Sequence, residues 1–167
     1  VRPDDVSINC IRAYTDNEIL IATDGAGIYK MNAATYESVP YIVADYNRHN
    51  SMNGNTINDI YIDSEQRIWI ANYPIGITVR DNRYADYQWI KHSIGNKQSL
   101  INDQVNAIIE DHDGDLWFAT NNGISFIIAR RNNGILFSAV STPQAIVKPY
   151  LHLIVRSGAR HHLGRRI

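Results

Sequence analysis

Apolar and polar residues alternate with a period of two along most of the chain, in short runs rich in Ile, Val, Tyr and Trp. This alternation predicts β-strands, because an amphipathic helix would need apolar positions spaced three and four residues apart. Turn sequences such as Asp63-Ser64-Glu65-Gln66 separate the runs. The strands predicted in the later part of the chain are residues 76–80, 87–92, 105–110, 116–120 and 124–127.

An internal repeat organises these strands. Asn9, Asn58 and Asn106 lie 49 and 48 residues apart, and a Leu or Trp follows each Asn after 11 residues. We interpret each unit as four short antiparallel strands, the content and size of a β-propeller blade. The predicted fold class is therefore all-β, with about three four-stranded antiparallel blades of a larger propeller expected to have about seven blades. The predicted units are residues 1–53, 54–101 and 102–127, the last being the start of a third blade.

The residues that recur in the repeat are assigned structural roles. The mid-strand Trp residues are expected to fill the gap between adjacent blades with a flat indole ring. The Asn residues at the start of each inner strand are expected to hydrogen-bond a loop backbone. The Gly residues close the next turn, where a positive φ or a close backbone approach is expected. These structural residues are Asn9, Asn58, Asn106, Trp69, Trp117, Gly27, Gly76 and Gly123.

Residues 105–126 closely resemble the two-component regulator propeller repeat, whose pattern runs Asn, Ile, an Asp-x-x-Gly turn, Leu-Trp-Ile-Gly-Thr, then Gly-Gly-Leu and an aromatic residue. The linker Ser99-Leu100-Ile101-Asn102-Asp103 also resembles the Ser-Leu segment that precedes each blade in that family. This chain departs from the pattern at Ala119 in place of Gly, at Leu20 in place of Trp, and at Asn72-Tyr73-Pro74-Ile75.

The resemblance covers residues 4 to about 127 and implies a periplasmic sensor region. In this family, paired propellers precede a transmembrane helix in hybrid sensor kinases of Bacteroidetes, many of which respond to breakdown products of complex glycans. The resemblance thus implies a small ligand, with an oligosaccharide as one option, and the remaining blades of a parent protein as partners. It places any histidine kinase outside this chain.

Composition adds limits to this interpretation. The chain of 167 residues has 44% hydrophobic and 20% charged residues, which is typical of a globular domain. Its formal net charge of −1 gives no reason to expect nucleic acid or an anionic membrane as a partner. No membrane segment, signal peptide or initiator Met is recognised, so a mature export product and an excised fragment both remain open. Cys10 is the single cysteine and cannot form an internal disulfide.

Candidate chemistry is sparse. The turn Asp111-His112-Asp113-Gly114-Asp115 is similar to a calcium loop, but Leu116 stands where that loop needs Gly, so a strand-connecting turn is expected and no metal is predicted. No nucleophile elbow or dinucleotide fingerprint is recognised, so no catalytic residue and no cofactor are predicted and the chain is not expected to be an enzyme. Two alternatives stay open: blades of a propeller-fold lyase or glycosidase with catalytic residues elsewhere, and a structural scaffold.

Propellers usually bind ligands with loops at one end of the channel. Asp24, Tyr73 and Asn121 occupy equivalent turns and are the candidate ligand-binding residues. The repeat pattern stops after Phe126, so no blade strand is expected in the rest, and residues 128–167 are treated as a non-matching tail. A divergent blade, vector sequence and a frameshift are all open for this tail. Because three blades cannot close a ring, self-association is also expected.

Overall fold

The computed structural model describes residues 6–84 and 86–128, together with the backbone of the strand at Leu136–Val140. In this part of the chain, 12 strands form three four-stranded antiparallel sheets, which we call blades 1, 2 and 3. Blade 1 contains β1 (Ile8–Thr15), β2 (Glu18–Thr23), β3 (Ile28–Asn32) and β4 (Ser38–Ile42). Blade 2 contains β5 (Ile57–Ile62), β6 (Ile68–Asn72), β7 (Gly76–Asp81) and β8 (Asp86–Ile90). Blade 3 contains β9 (Val105–Glu110), β10 (Leu116–Thr120), β11 (Gly123–Ile128) and β12 (Leu136–Val140).

Each blade is a meander in which consecutive strands pair. The turn between the second and third strands and the linker to the next blade therefore lie at one end of the blades, which we call the linker end. The other two turns of each blade lie at the opposite, hairpin end. The all-β propeller-blade fold class is confirmed by this topology.

The strand predictions are confirmed at β9 and β10 and shift slightly elsewhere. β11 is one residue longer at each end than predicted, and β8 begins and ends earlier than the predicted 87–92. The expectation that no blade strand follows residue 126 is wrong, because β12 pairs with β11 from Ile124↔Val140 to Ile128↔Leu136. An unpaired strand edge accepts a partner through backbone groups, which carry no repeat signature. Residues 129–135 and 141–167, where the frameshift interpretation chiefly falls, lie outside the described residues.

The core lies between the blades. In β6, alternate side chains belong to different clusters: Ile68 and Ile70 pack towards blade 1, whereas Trp69 and Ala71 pack towards blade 3. All five residues of β6 are buried because both faces of this strand meet a neighbouring sheet. The first strand of each following blade is the closest neighbour, since β5 contacts both β1 and β2, and β9 contacts both β5 and β6.

The two predicted inter-blade tryptophans differ in their surroundings. Trp69 is 2% exposed and its ring lies 6.0 Å from that of Phe118 in blade 3. Trp117 is only partly buried and stacks on Phe126 of its own blade, with ring centroids 4.9 Å apart. The difference arises because blade 3 covers the face of blade 2 that carries Trp69. Trp117 lies on the face of blade 3 that points away from blade 2.

Candidate functional site

The linker end is built by main-chain contacts between each second turn and the next linker. The Gly27 N–H donates to the Asn55 carbonyl over 2.8 Å, and the equivalent Gly76 N–H donates to the Asp103 carbonyl over 2.9 Å. Gly27 and Gly76 have φ values of 78° and 95°, and a Cβ at Gly76 would lie 2.4 Å from the Ile90 carbonyl oxygen. The turns at this end can thus approach the linkers closely only because glycine stands there. Gly123 also has a positive φ, of 123°.

The side chains of the same linker residues make a second set of hydrogen bonds at this end. Asn55 Oδ1 accepts the Ala44 N–H over 2.8 Å, and Asp103 Oδ1 accepts the His92 N–H over 2.5 Å. One linker residue therefore holds both the turn before it and the chain that leaves the outer strand. Sequence reasoning missed Asn55 and Asp103, although their spacing of 48 residues matches that of the recurring Asn residues (Asn9, Asn58 and Asn106), which we call the Asn anchors.

Asp24, Tyr73 and Asn121, the candidate ligand contacts, all lie at this linker end. Their backbone N–H groups each donate to the carbonyl of the residue just before an inner strand, with lengths of 2.9, 2.9 and 3.1 Å. Their side chains are exposed, and Tyr73 is 41% exposed. The Asn121 side chain donates to Gln104 Oε1 over 2.6 Å and accepts from Asn106 over 2.7 Å. The three residues thus occupy equivalent positions on successive blades, on one face of the molecule.

The repeated Asn residues connect blades instead of holding a loop backbone as expected. Asn9 Nδ2 donates to the Ile57 carbonyl over 2.9 Å, and Asn58 Nδ2 donates to the Val105 carbonyl over 2.9 Å. Both acceptors are the first residue of the next blade's inner strand. The expectation of a loop contact was wrong because it considered only nearby residues, whereas the acceptor lies in the next blade, 48 or 47 residues away in the sequence. Asn106, in blade 3, donates to Asn121 within its own blade.

A polar chain crosses the inner strands of all three blades. Arg12 of blade 1 donates to Asp59 Oδ1 over 2.5 Å and to the Ile60 carbonyl over 2.9 Å. Asp59, only 5% exposed, also accepts the Ile108 N–H of blade 3 over 2.9 Å. Burial, followed by the charge of Asp59, raises the pKa of the Cys10 thiol to about 11, so this thiol stays protonated at neutral pH. The sequence held one signal for this network: Asp59 is an acid that directly follows Asn58 at the start of an inner strand.

A second polar contact links blades 2 and 3. The Tyr61 hydroxyl donates to the Glu110 carboxylate. Burial raises the pKa of Tyr61, and the bond to Glu110 raises it further because the carboxylate opposes a phenolate. Tyr61 and Arg12 both lie three residues after their Asn anchors, so the same position reaches the following blade each time.

Aspartates hold the turn that follows each inner strand of blades 2 and 3. Asp63 Oδ2 accepts the Trp69 indole N–H over 2.8 Å, and Asp111 Oδ2 accepts that of Trp117 over 2.7 Å. Burial alone would raise the pKa of Asp111, but the bonds from the indole and from the backbone N–H groups of Asp115 and Asp113 outweigh it and lower the pKa. This geometry is that of a hydrogen-bonded turn.

The same turn contains the one potential metal-ligand set found among the described residues. Ligand atoms of Asp111, His112 and Asp113 lie within 4.8 Å of one another. His112 and Asp113 are exposed, and the Asp111 carboxylate already accepts the turn and indole N–H groups. In this structure the Asp111 carboxylate therefore serves as the acceptor that holds the turn.

Aromatic rings and a cation occupy the outer groove between blades 1 and 2. The Arg80 guanidinium lies 4.7 Å from the ring centre of Tyr41 and 5.9 Å from that of Tyr87. The hydroxyl groups of Tyr14 and Tyr41 are 2.9 Å apart, and burial followed by this hydrogen bond raises the pKa of Tyr14 to about 12. These contacts tie the two blades together at their rim.

Comparison with known families and structures identifies the repeat. Residues 51–73 and 99–122 match the family model described as two component regulator propeller. These two segments are similar to the two-component regulator propeller repeat. Each matched segment of these repeats begins at a linker serine, Ser51 or Ser99, and ends within the turn after the second strand. No curated protein sequence matches the chain.

Two solved structures with a similar fold are described as extracellular domains. One is described as that of the hybrid two component system BT3049 from B. thetaiotaomicron, with 20% identity, a TM-score of 0.66 and coverage of 80% of this chain. Another is that of the hybrid two component system BT4673 from the same organism, with 21% identity, a TM-score of 0.60 and coverage of 81%. The chain spans 18% of the length of each of these structures. In the described residues no helix is long and apolar enough to span a membrane.

Proposed function

We propose that this chain is part of a periplasmic propeller that senses a small ligand for a hybrid two-component system, and that the linker end is its ligand-binding surface. The observation that carries the proposal is the position of the two family matches. Each covers the last part of a linker, an inner strand, the second strand and the start of the following turn, and the linker and the turn lie together at the linker end. No catalytic step forms part of the proposal.

The chemistry of the linker end favours an oligosaccharide as the ligand. Exposed tyrosines stand on this face, with Tyr73 at 41% and Tyr46, in the linker after blade 1, at 81% exposure. A tyrosine ring offers an apolar face to the C–H groups of a sugar while its hydroxyl bonds to sugar hydroxyls. Asp24 and Asn121 add acceptors and donors at equivalent turns.

Titration of the 167-residue chain with a panel of neutral and acidic oligosaccharides, followed by saturation-transfer NMR, tests this proposal. We expect at least one saccharide to bind saturably and Tyr73→Ala to weaken that binding about tenfold, equivalent to about 1.4 kcal/mol. Tyr36→Ala is the matched control, because Tyr36 is 76% exposed but lies at the hairpin end. Absence of binding by every saccharide, or loss of binding with Tyr36→Ala instead, overturns the proposal. Cleavage of a saccharide during the titration would favour the propeller-enzyme alternative.

A further inference from the structure

Arg80 of β7 interrupts an apolar position of the repeat. The strand pairing aligns it with Ile127 in blade 3 and with Met31 in blade 1. Ile127 is 4% exposed and packs in the apolar cluster between blades 2 and 3. A charge at such a position costs desolvation free energy that an apolar residue avoids. Packing between blades therefore does not explain why an arginine stands here.

The Arg80 guanidinium is enclosed in the outer groove between blades 1 and 2, and two of its donor atoms have no acceptor among the described residues. Its Nε and Nη1 atoms are both buried and make no hydrogen bond. The rings of Tyr41 and Tyr87 attract the charge through their faces, but neither ring supplies an acceptor in the plane of the guanidinium. The Glu18 carboxylate of blade 1 pairs with Lys30 over 2.8 Å. Within the described part of the chain, Arg80 thus has no carboxylate partner.

Asn82 adds an acceptor to the same groove. Its Nδ2 donates to the Gln66 carbonyl over 3.0 Å and to the Tyr14 hydroxyl over 3.3 Å. Its Oδ1 is buried and accepts no hydrogen bond from the residues that the structure describes. Tyr14 is in turn hydrogen-bonded to Tyr41, whose ring lies against Arg80. The groove therefore places two donors of a cation and one acceptor around a single pair of tyrosines.

We propose that this outer groove binds a small hydroxycarboxylate. The Arg80 donors bind the carboxylate, because a guanidinium and a carboxylate form charge-assisted hydrogen bonds. Asn82 Oδ1 accepts the hydroxyl of the ligand, a donor that a simple carboxylate lacks. Tyr87 lies on the outer strand β8, and its ring is the farther of the two from the guanidinium, so this ring turns outward to admit the ligand. None of these residues belongs to the surface proposed to bind an oligosaccharide.

Thermal unfolding of the complete chain with millimolar lactate or glycerate, at constant ionic strength, tests the site. We expect both to raise Tm saturably, because a ligand that binds only the folded chain stabilises it. Propionate is lactate without the hydroxyl, and glycerol is glycerate without the carboxylate. Both control ligands should bind at least about tenfold more weakly. Absence of a shift with both hydroxy acids overturns the proposal, as does a shift with propionate equal to that with lactate.

Arg80→Met tests the role of the cation, because Met31 is the residue at this position in blade 1. Without ligand this variant should unfold at the same Tm as the unmodified chain or higher, since an apolar side chain replaces an enclosed charge. Its response to lactate should be lost. Arg83→Met is the matched control: it removes an exposed arginine from the neighbouring turn and should leave the lactate response intact. A lactate response that survives Arg80→Met overturns the proposal, as does a Tm of that variant well below that of the unmodified chain, which would give the cation a structural role.

Two further variants separate the contacts of the ligand and the two surfaces. Asn82→Ala removes the acceptor for the hydroxyl, so lactate and propionate should then bind with similar affinity. Tyr73→Ala, at the linker end, should leave the lactate response unchanged. Failure of lactate to bind would therefore overturn this site and leave saccharide binding at the linker end unaffected. Lactate that is still preferred over propionate by Asn82→Ala would contradict the assigned role of Asn82 Oδ1 and overturn the proposed ligand class.

Discussion

At the scale of single residues, tryptophan and aspartate work as a pair in this repeat. Asp63 and Asp111 each lie six residues before the Trp whose indole they accept. Blade 1 has Tyr14 and Leu20 at the two equivalent positions, so both members of the pair are absent together. An indole N–H inside a packed sheet needs an acceptor, and a Leu side chain needs none. The aspartate is therefore part of how the inter-blade tryptophan is held.

Replacing the two tryptophans separates packing between blades from this shared hydrogen bond. Trp69→Ala should lower the free energy of unfolding by about 3–5 kcal/mol, because the ring is almost completely buried against blade 3. Trp117→Ala loses the same type of indole bond but a partly exposed ring, and should cost about 1–2 kcal/mol. Chemical denaturation of both variants measures the difference. Equal losses would show that the contact with Phe118 contributes nothing beyond the turn.

The charge of Asp111 should make stability depend on pH on the acid side. Because its pKa is lowered in the folded state, its contribution is present above the ordinary Asp pKa of about 3.9 and is lost as the pH falls through the folded-state value. Asp111→Asn should therefore lower Tm at about pH 7 and much less at about pH 2. Asp113→Asn is the control, since Asp113 is exposed and lies in the same turn. A Tm difference that is constant over this range contradicts a role for the charge.

At the scale of strands, the sequence pattern predicted where most strands lie. It did not predict the features that depend on residues distant in the sequence, such as strand ends and hydrogen bonds between blades. The bounds of β9 and β10 were predicted correctly because the polar turn at residues 111–115 separates two short apolar-rich runs. β8 was extended to His92, but His92 N–H is taken by Asp103 of the linker, so the strand ends at Ile90. β12 was missed because backbone pairing with β11 carries no residue pattern. The inter-blade acceptors of Asn9 and Asn58 also lay beyond local sequence reasoning.

The turns of the linker end should be sensitive to a single methyl group. Gly76→Ala would place a Cβ 2.4 Å from the Ile90 carbonyl oxygen at a φ of 95°. Gly25 is the matched control, because its φ is 98° and a Cβ there would meet no atom within 4 Å. Gly25→Ala should cost about 1 kcal/mol from backbone strain alone, and Gly76→Ala about 3 kcal/mol or more with the clash added. Thermal unfolding of both variants measures the difference; similar losses would mean that the end of β8 at Ile90 shifts to relieve the clash.

At the scale of the whole molecule, the contacts between blades are of two kinds. Some are the same at both inter-blade interfaces, and others differ from one interface to the other. The Asn amide bond recurs at both interfaces, and an apolar cluster packs at each, so these contacts do not distinguish one blade from another. The contacts of the residue three positions after each recurring Asn differ. Arg12 donates to Asp59, whereas Tyr61 donates to Glu110. A misplaced blade would leave a buried charge without its partner, which disfavours a wrong order of blades. The position that varies between repeats can thus specify which blade follows which.

Asp59, in blade 2, contacts both neighbouring blades, since it accepts hydrogen bonds from Arg12 of blade 1 and from the Ile108 N–H of blade 3. Asp59→Ala should lower the free energy of unfolding by about 3 kcal/mol, because it removes the partner of Arg12 and leaves the buried Ile108 N–H without its acceptor. Arg12→Ala should cost less, since the Arg12 side chain is 42% exposed and Ile108 keeps its bond. Asp45→Ala, which breaks an exposed pair with Arg48, should change stability by less than about 1 kcal/mol. Hydrogen exchange gives the second readout: Asp59→Ala should speed exchange at the Ile108 amide far more than at the Ile28 amide of blade 1. Uniform acceleration across the three blades would show that Asp59 supports only global stability and does not couple neighbouring blades.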